Sequence, residues 1–162
     1  MEHKGVRKQL TNEAFFAFVE EELAARRNVK FTVRGISMMP LLWDGRDQVV
    51  VQPLGNRLPT RGDVVLFRYR GRHILHRIIA IKDGRYMMQG DGVCGTTEHA
   101  AAEDIIGVVS EVVRPSGRIV KTNSCCWKTN SWLWKCLGRG RTLVLRAIVR
   151  LLKTTHNTSF RA

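Results

Sequence analysis

The sequence predicts a mainly β protein with a helix at its start and a basic helical tail. Short runs of β-branched and apolar residues recur between glycine-bearing turns through the middle of the chain. A helical spacing of apolar residues precedes those runs, and a second one follows an abrupt change in composition. The chain has 162 residues, one domain's length, enough to bury a core without disulfides or metals.

The first element is a helix from Thr11 to about Arg27. Thr11 or Asn12 offers a side-chain oxygen to the first-turn amides. Phe15, Phe18, Val19 and Leu23 fall at helical spacing, and Arg26 and Arg27 suit the negative end of the helix dipole. Strands are predicted at Lys30–Arg34, at Gln48–Gln52 and, opened by Gly62-Asp63, at Val64–Arg70. Gly71-Arg72 turns the chain into a strand over His73–Lys82, and Asp83-Gly84 is a favoured hairpin turn into Arg85–Gln89. That strand runs into Gly90-Asp91-Gly92. Asp104–Arg114 and Arg118–Thr122 form a last hairpin around Ser116-Gly117. The predicted organisation is an N-terminal helix over 1–28, a β domain over 29–122 and a Trp-containing tail over 123–162.

Charge divides the chain unevenly. The net charge is +13. Residues 1–113 hold 16 Lys/Arg and 14 Asp/Glu, whereas residues 114–162 hold 11 Lys/Arg and no acid. In the tail, Arg146, Arg150 and Lys153 make a cationic stripe on a helix over Leu143–Lys153, with Leu143, Val144, Ala147, Ile148, Leu151 and Leu152 around it. Such a block implies an anionic partner. Trp127, Trp132 and Trp134 suit a membrane surface, and a helix packed on the β domain is the equal alternative. Nucleic acid is disfavoured, because no reading motif accompanies the charge. Cys94, Cys125, Cys126 and Cys136 lack metal-ligand spacing and read as free thiols. No secretory leader and no bilayer-spanning run is expected, so the predicted location is cytoplasmic or peripheral to a membrane. No cofactor and no metal is called for.

One constellation carries chemistry. A serine hydroxyl becomes a useful nucleophile only when a base within hydrogen-bond reach takes its proton, and a third group often fixes that base. Ser37 lies in Gly35-Ile36-Ser37-Met38-Met39-Pro40, His76 in Leu75-His76-Arg77-Ile78, and Asp91 between two glycines. Each also has a plain structural use: Ser37 and Asp91 as turn residues, His76 as a hydrogen-bonded strand histidine. His73 competes for the base but sits beside a hairpin turn. Met38, Met39, Met87 and Met88 read as core packing.

Gly-x-Ser-Met-x-Pro, Gly-Asp-Val-Val, Leu-His-Arg-Ile and Gly-Asp, in that order over Phe31–Val109, resemble the type I signal peptidase and LexA-type serine peptidase superfamily. The resemblance implies a bent β-ribbon or barrel-like core and a serine endopeptidase working through an acyl-enzyme. The bacterial signal peptidases and LexA-type proteins use a Ser–Lys dyad. With His76 in that box, the chain is closest to the endoplasmic-reticulum and archaeal (Ser–His) branch. By that resemblance Ser37 is the nucleophile, His76 the base and Asp91 the acid orienting it. The Ser37 amide helps to form the oxyanion hole, and Gly62-Asp63 is structural. The implied substrate is an extended peptide with a small residue before the cut. Members of that branch carry a second acid soon after Gly-Asp; here the nearest is Glu98, beyond Gly92-Val93-Cys94-Gly95. They also carry a membrane span where this chain has its first helix. Two other readings stand beside the peptidase: a catalytically silent peptide- or membrane-binding protein, and a LexA-like self-cleaving regulator. The last lacks the Lys base and a cleavable Ala-Gly or Cys-Gly before Ser37.

Overall fold

A computed structural model describes residues 12–158 apart from 57 and 139. Helix α1 (Asn12–Ala24) leads into β1 (Val29–Thr32), β2 (Gln48–Gln52), β3 (Val64–Tyr69), β4 (Arg72–Lys82), β5 (Arg85–Gln89) and β6 (Glu98–Ala100). A single 3-10 turn at Ala102–Asp104 precedes β7 (Ile105–Val113) and β8 (Ile119–Lys121). Helices α2 (Cys125–Cys136) and α3 (Gly140–Thr158) follow. The strands join antiparallel in one sheet, ordered β1-β2-β7-β3-β4-β5-β6, with β8 paired to β7.

The sheet curls into an open half-barrel. Register shifts at Val50/Val51, Leu66/Phe67 and Ile78/Ala80 interrupt three of its ladders, and such bulges bend a strand and increase its twist. Two hairpin turns use left-handed backbone at both central residues: Arg70-Gly71 and Asp83-Gly84. That geometry matches the twist of the strands it joins.

Curling gives the sheet two apolar faces, and β3 serves both. Val64 and Leu66 join a cluster with Val49, Val51, Val109, Val112, Met38 and Leu42. Val65 and Phe67 join one with Ile78, Tyr86, Met88 and Ile105. An unbroken run Val64-Val65-Leu66-Phe67 is what a strand covered on both faces requires, and each such side chain contributes about 1.5–3 kcal/mol on burial.

Most expected elements stand within a residue or two of their predicted ends. Three differences have physical causes. In α1, Phe16 rather than Phe18 turns inward: Phe16 stacks on His73 at 4.4 Å between ring centroids, while Phe18 is 48% exposed. Strand β6 went unpredicted because Glu98-His99-Ala100 has no apolar alternation. The Trp-rich segment is helix α2, and it docks on the sheet. Trp127 enters the first apolar cluster and Trp134 is also buried, whereas Trp132 is 63% exposed. Thr11 lies outside the described residues, as do the side chains at 149 and 151–158, which hold part of the predicted tail stripe. The four cysteines are free and exposed, and no helix among the described residues is long and apolar enough to cross a membrane.

Candidate active site

Ser37 lies in the connection between β1 and β2, where hydrogen bonds close a compact loop. Val33 N–H donates to Asp47 O, Gly45 N–H to Val33 O, and Gly35 N–H to an Asp44 carboxylate oxygen, each at 2.9 Å. Gly35 has φ +94°, which suits a residue without a side chain. Met38, Met39 and Leu42 anchor the loop in the core, and the Met39–Pro40 bond is cis. Ser37 itself stays half-exposed.

Asp47 locks the end of this loop. Its fully buried carboxylate accepts from Trp43 N–H at 2.9 Å, from the Arg46 guanidinium and from Arg114. Burial pushes its pKa up, but the hydrogen bonds from Arg46 and Trp43 and the charge of Arg114 prevail and hold it below the usual carboxylate range. Arg114 also donates to Leu41 O at 3.0 Å, so one cation ties the Ser37 loop to the end of β7.

Gly90-Asp91-Gly92, after β5, presses against the same loop. Gly92 N–H donates to Ser37 O at 2.7 Å. A methyl group on Gly92 would lie 2.9 Å from both Ile36 O and Met39 O. A methyl group on Gly90 would collide with Ser37 O and come within 2.9 Å of His76 Nε2. Glycine at both positions therefore permits the backbone approach, and the imidazole and the serine loop meet at Gly90.

His76 is 5% exposed on β4. Its Nδ1 lies 2.9 Å from Glu98 Oε2 on β6. Glu98 pairs in register with Met88, and Met88 with Ile78, so it reaches His76 from two strands away on one face of the sheet. With Glu98 ionised and the imidazole neutral, Nδ1 carries the hydrogen and Nε2, which lies toward Gly90, carries the lone pair. Ser37 Oγ and His76 Nε2 are not hydrogen-bonded to each other here; such contacts commonly tighten only around substrate. The Ser37 amide donates no hydrogen bond among the described residues.

The structure places Asp91 elsewhere than the expected triad does. Successive strand residues point to opposite faces, so Arg77 faces away from His76. Arg77 takes both Asp91 oxygens, Nε to Oδ1 at 2.8 Å and Nη2 to Oδ2 at 2.7 Å, and also donates to Gly62 O. Both partners are almost fully buried, Arg77 1% and Asp91 2% exposed. Trp134 Nε1 donates to Asp91 O at 2.7 Å, and the guanidinium lies 5.5 Å from the Trp127 ring centroid. Asp91 is thus bound to Arg77 and α2, and Glu98 occupies the position beside His76. The competing His73 is held by Glu20 of α1 at 2.6 Å, away from Ser37.

Among the described residues no three His, Cys, Asp or Glu side chains converge as a metal-ligand set. No family model and no curated protein matches the chain.

Proposed function

We propose that the chain is a serine endopeptidase of the signal-peptidase and LexA-like superfamily, nearest its Ser–His branch. Ser37 is the nucleophile, His76 the base, and Glu98 the residue that orients His76. The observation that carries this reading is the His76–Glu98 contact, with the free ring nitrogen directed at the serine loop across Gly90. The curled half-barrel and the order of the four sequence boxes are consistent with it.

In the proposed reaction Ser37 Oγ attacks the scissile carbonyl carbon while His76 Nε2 takes its proton. Glu98 stabilises the imidazolium that forms and keeps its tautomer. The Ser37 amide donates to the oxyanion. His76 then passes the proton to the leaving amine, which departs as the acyl-enzyme forms. Water attacks the ester with His76 again as base and releases the carboxylate product and Ser37. Asp91 contributes at one remove, because its pairing with Arg77 fixes the Gly90–Gly92 turn.

Digestion of a mixed peptide library, read by mass spectrometry, tests the assignment. The wild type is expected to release fragments ending in small residues. Ser37→Ala and His76→Ala should each lower the rate about 10³-fold or more at unchanged melting temperature. Cleavage persisting in either folded variant overturns the proposal.

A membrane-surface role for the helical tail is proposed beside it. Trp132 and Leu133 on α2, Leu137 just after it and Leu143 on α3 are about half-exposed or more, within the acid-free basic segment. That combination suits an anionic bilayer surface. Leu143→Asp should weaken sedimentation with phosphatidylglycerol vesicles several-fold; unchanged binding would count against it.

A further inference from the structure

On the face of the sheet away from His76, a cleft of about 1050 Å³ opens between α2 and strands β2 and β7. This volume is ample for a small molecule. One stripe of α2, Lys128, Ser131 and Lys135, lines it at positions i, i+3 and i+7, the spacing that sets side chains on one helix face. Trp132 adds an aromatic wall, and Arg61 faces the stripe from the loop before β3.

Two features of the lining suit an anion. Ser131 is 6% exposed, and its hydroxyl has no hydrogen-bond partner among the described residues. A buried hydroxyl without a partner is costly, and a ligand acceptor in the cleft would satisfy it. Charge is the second. Arg77 is matched by Asp91, Lys121 lies opposite Glu111 in the β7–β8 register, and Asp63 accepts from Thr60. Against the five cations Arg61, Arg77, Lys121, Lys128 and Lys135 stand the three carboxylates Asp63, Glu111 and Asp91, so a surplus of two positive charges remains on the side of Arg61, Lys128 and Lys135. Lys135 records that surplus: burial, then the charges of Arg77, Arg61 and Arg141, outweigh the opposing pull of Asp91 and lower its pKa to about 8.

We infer that this cleft binds a phosphate group, with Ser131 and Lys135 on its oxygens and Arg61 and Lys128 closing the charge. A single carboxylate would neutralise one cation. A phosphate monoester carries about −1.5 to −2 and three acceptor oxygens, which matches several cations and one hydroxyl donor. The source is either a soluble phosphate compound or the headgroup of an anionic lipid. The inference is independent of the peptidase reading, since none of these residues belongs to the Ser37–His76 site.

The whole 162-residue chain would be titrated, at constant ionic strength, with inorganic phosphate and with phosphatidylcholine vesicles containing phosphatidic acid. Saturable binding of at least one probe is expected. Lys135→Gln and Arg61→Gln should each weaken it about tenfold and Ser131→Val about threefold, while Lys82→Gln, at an exposed strand end, should change it less than twofold. Phosphate binding should also move the NMR titration of Lys135 upward from about 8, with Arg61, Arg77, Arg141, Lys128, Asp63 and Asp91 as the surrounding charges. Vesicle binding that free phosphate displaces assigns the site to a lipid headgroup. Binding of phosphate alone assigns it to a soluble compound. Absence of saturable binding by either probe overturns the inference, and so does a loss in Lys82→Gln equal to that in Lys135→Gln.

Discussion

His76 and Arg77 are neighbours on β4, and each has a carboxylate partner at hydrogen-bond distance, yet the two pairs have different work. Arg77–Asp91 is bidentate and closed: both side chains are buried, and a backbone carbonyl and an indole complete the set. His76–Glu98 is monodentate and open: one ring nitrogen is held, and the other faces the Ser37 loop. A site needs both kinds. The fully satisfied pair fixes the backbone of Gly90–Gly92, and the half-satisfied one leaves a ring nitrogen available for the proposed chemistry. The strand's alternation sends consecutive residues to these two duties.

The largest expected effect breaks the closed pair. Asp91→Ala strands the Arg77 charge in the interior, and loss of one partner of a buried pair costs about 3–5 kcal/mol. Against a total of about 5–15 kcal/mol, urea denaturation should show a midpoint far below that of the wild type. A variant that kept its midpoint and lost only cleavage would exchange the roles of the two pairs.

The open pair should respond the other way, with little loss of fold and a large loss of rate. Glu98→Gln keeps the shape of the side chain but removes the charge proposed to stabilise the imidazolium. Circular dichroism melting should stay close to the wild type.

Much of this arrangement was legible in the sequence, and the rest was not for identifiable reasons. Turn glycines and β-branched runs marked the strands, so Gln48–Gln52 and Arg85–Gln89 stand where they were expected. The order of boxes singled out Ser37 and His76, and the structure brings the serine loop and the imidazole together at Gly90. The partner of His76 was not legible, because order along the chain does not say which face a carboxylate serves. Asp91 follows a glycine whose position it shares, but Arg77 claims its side chain from the opposite face. A cue was present: a cation between His76 and Ile78 in the middle of an apolar strand requires a buried acid. Glu98 was hidden in a three-residue strand without apolar alternation. Helix α2 was missed because its buried face, Trp127, Ser131 and Trp134, holds only three residues, while its other tryptophan faces outward.

The most direct test of the central claim is the cleavage rate of one library-derived peptide by Glu98→Gln, measured beside the wild type at a temperature where both are folded. A fall of about 10²–10⁴-fold is expected, with peptide affinity little changed. A folded Glu98→Gln variant that cleaves at the wild-type rate would contradict the proposed role of Glu98.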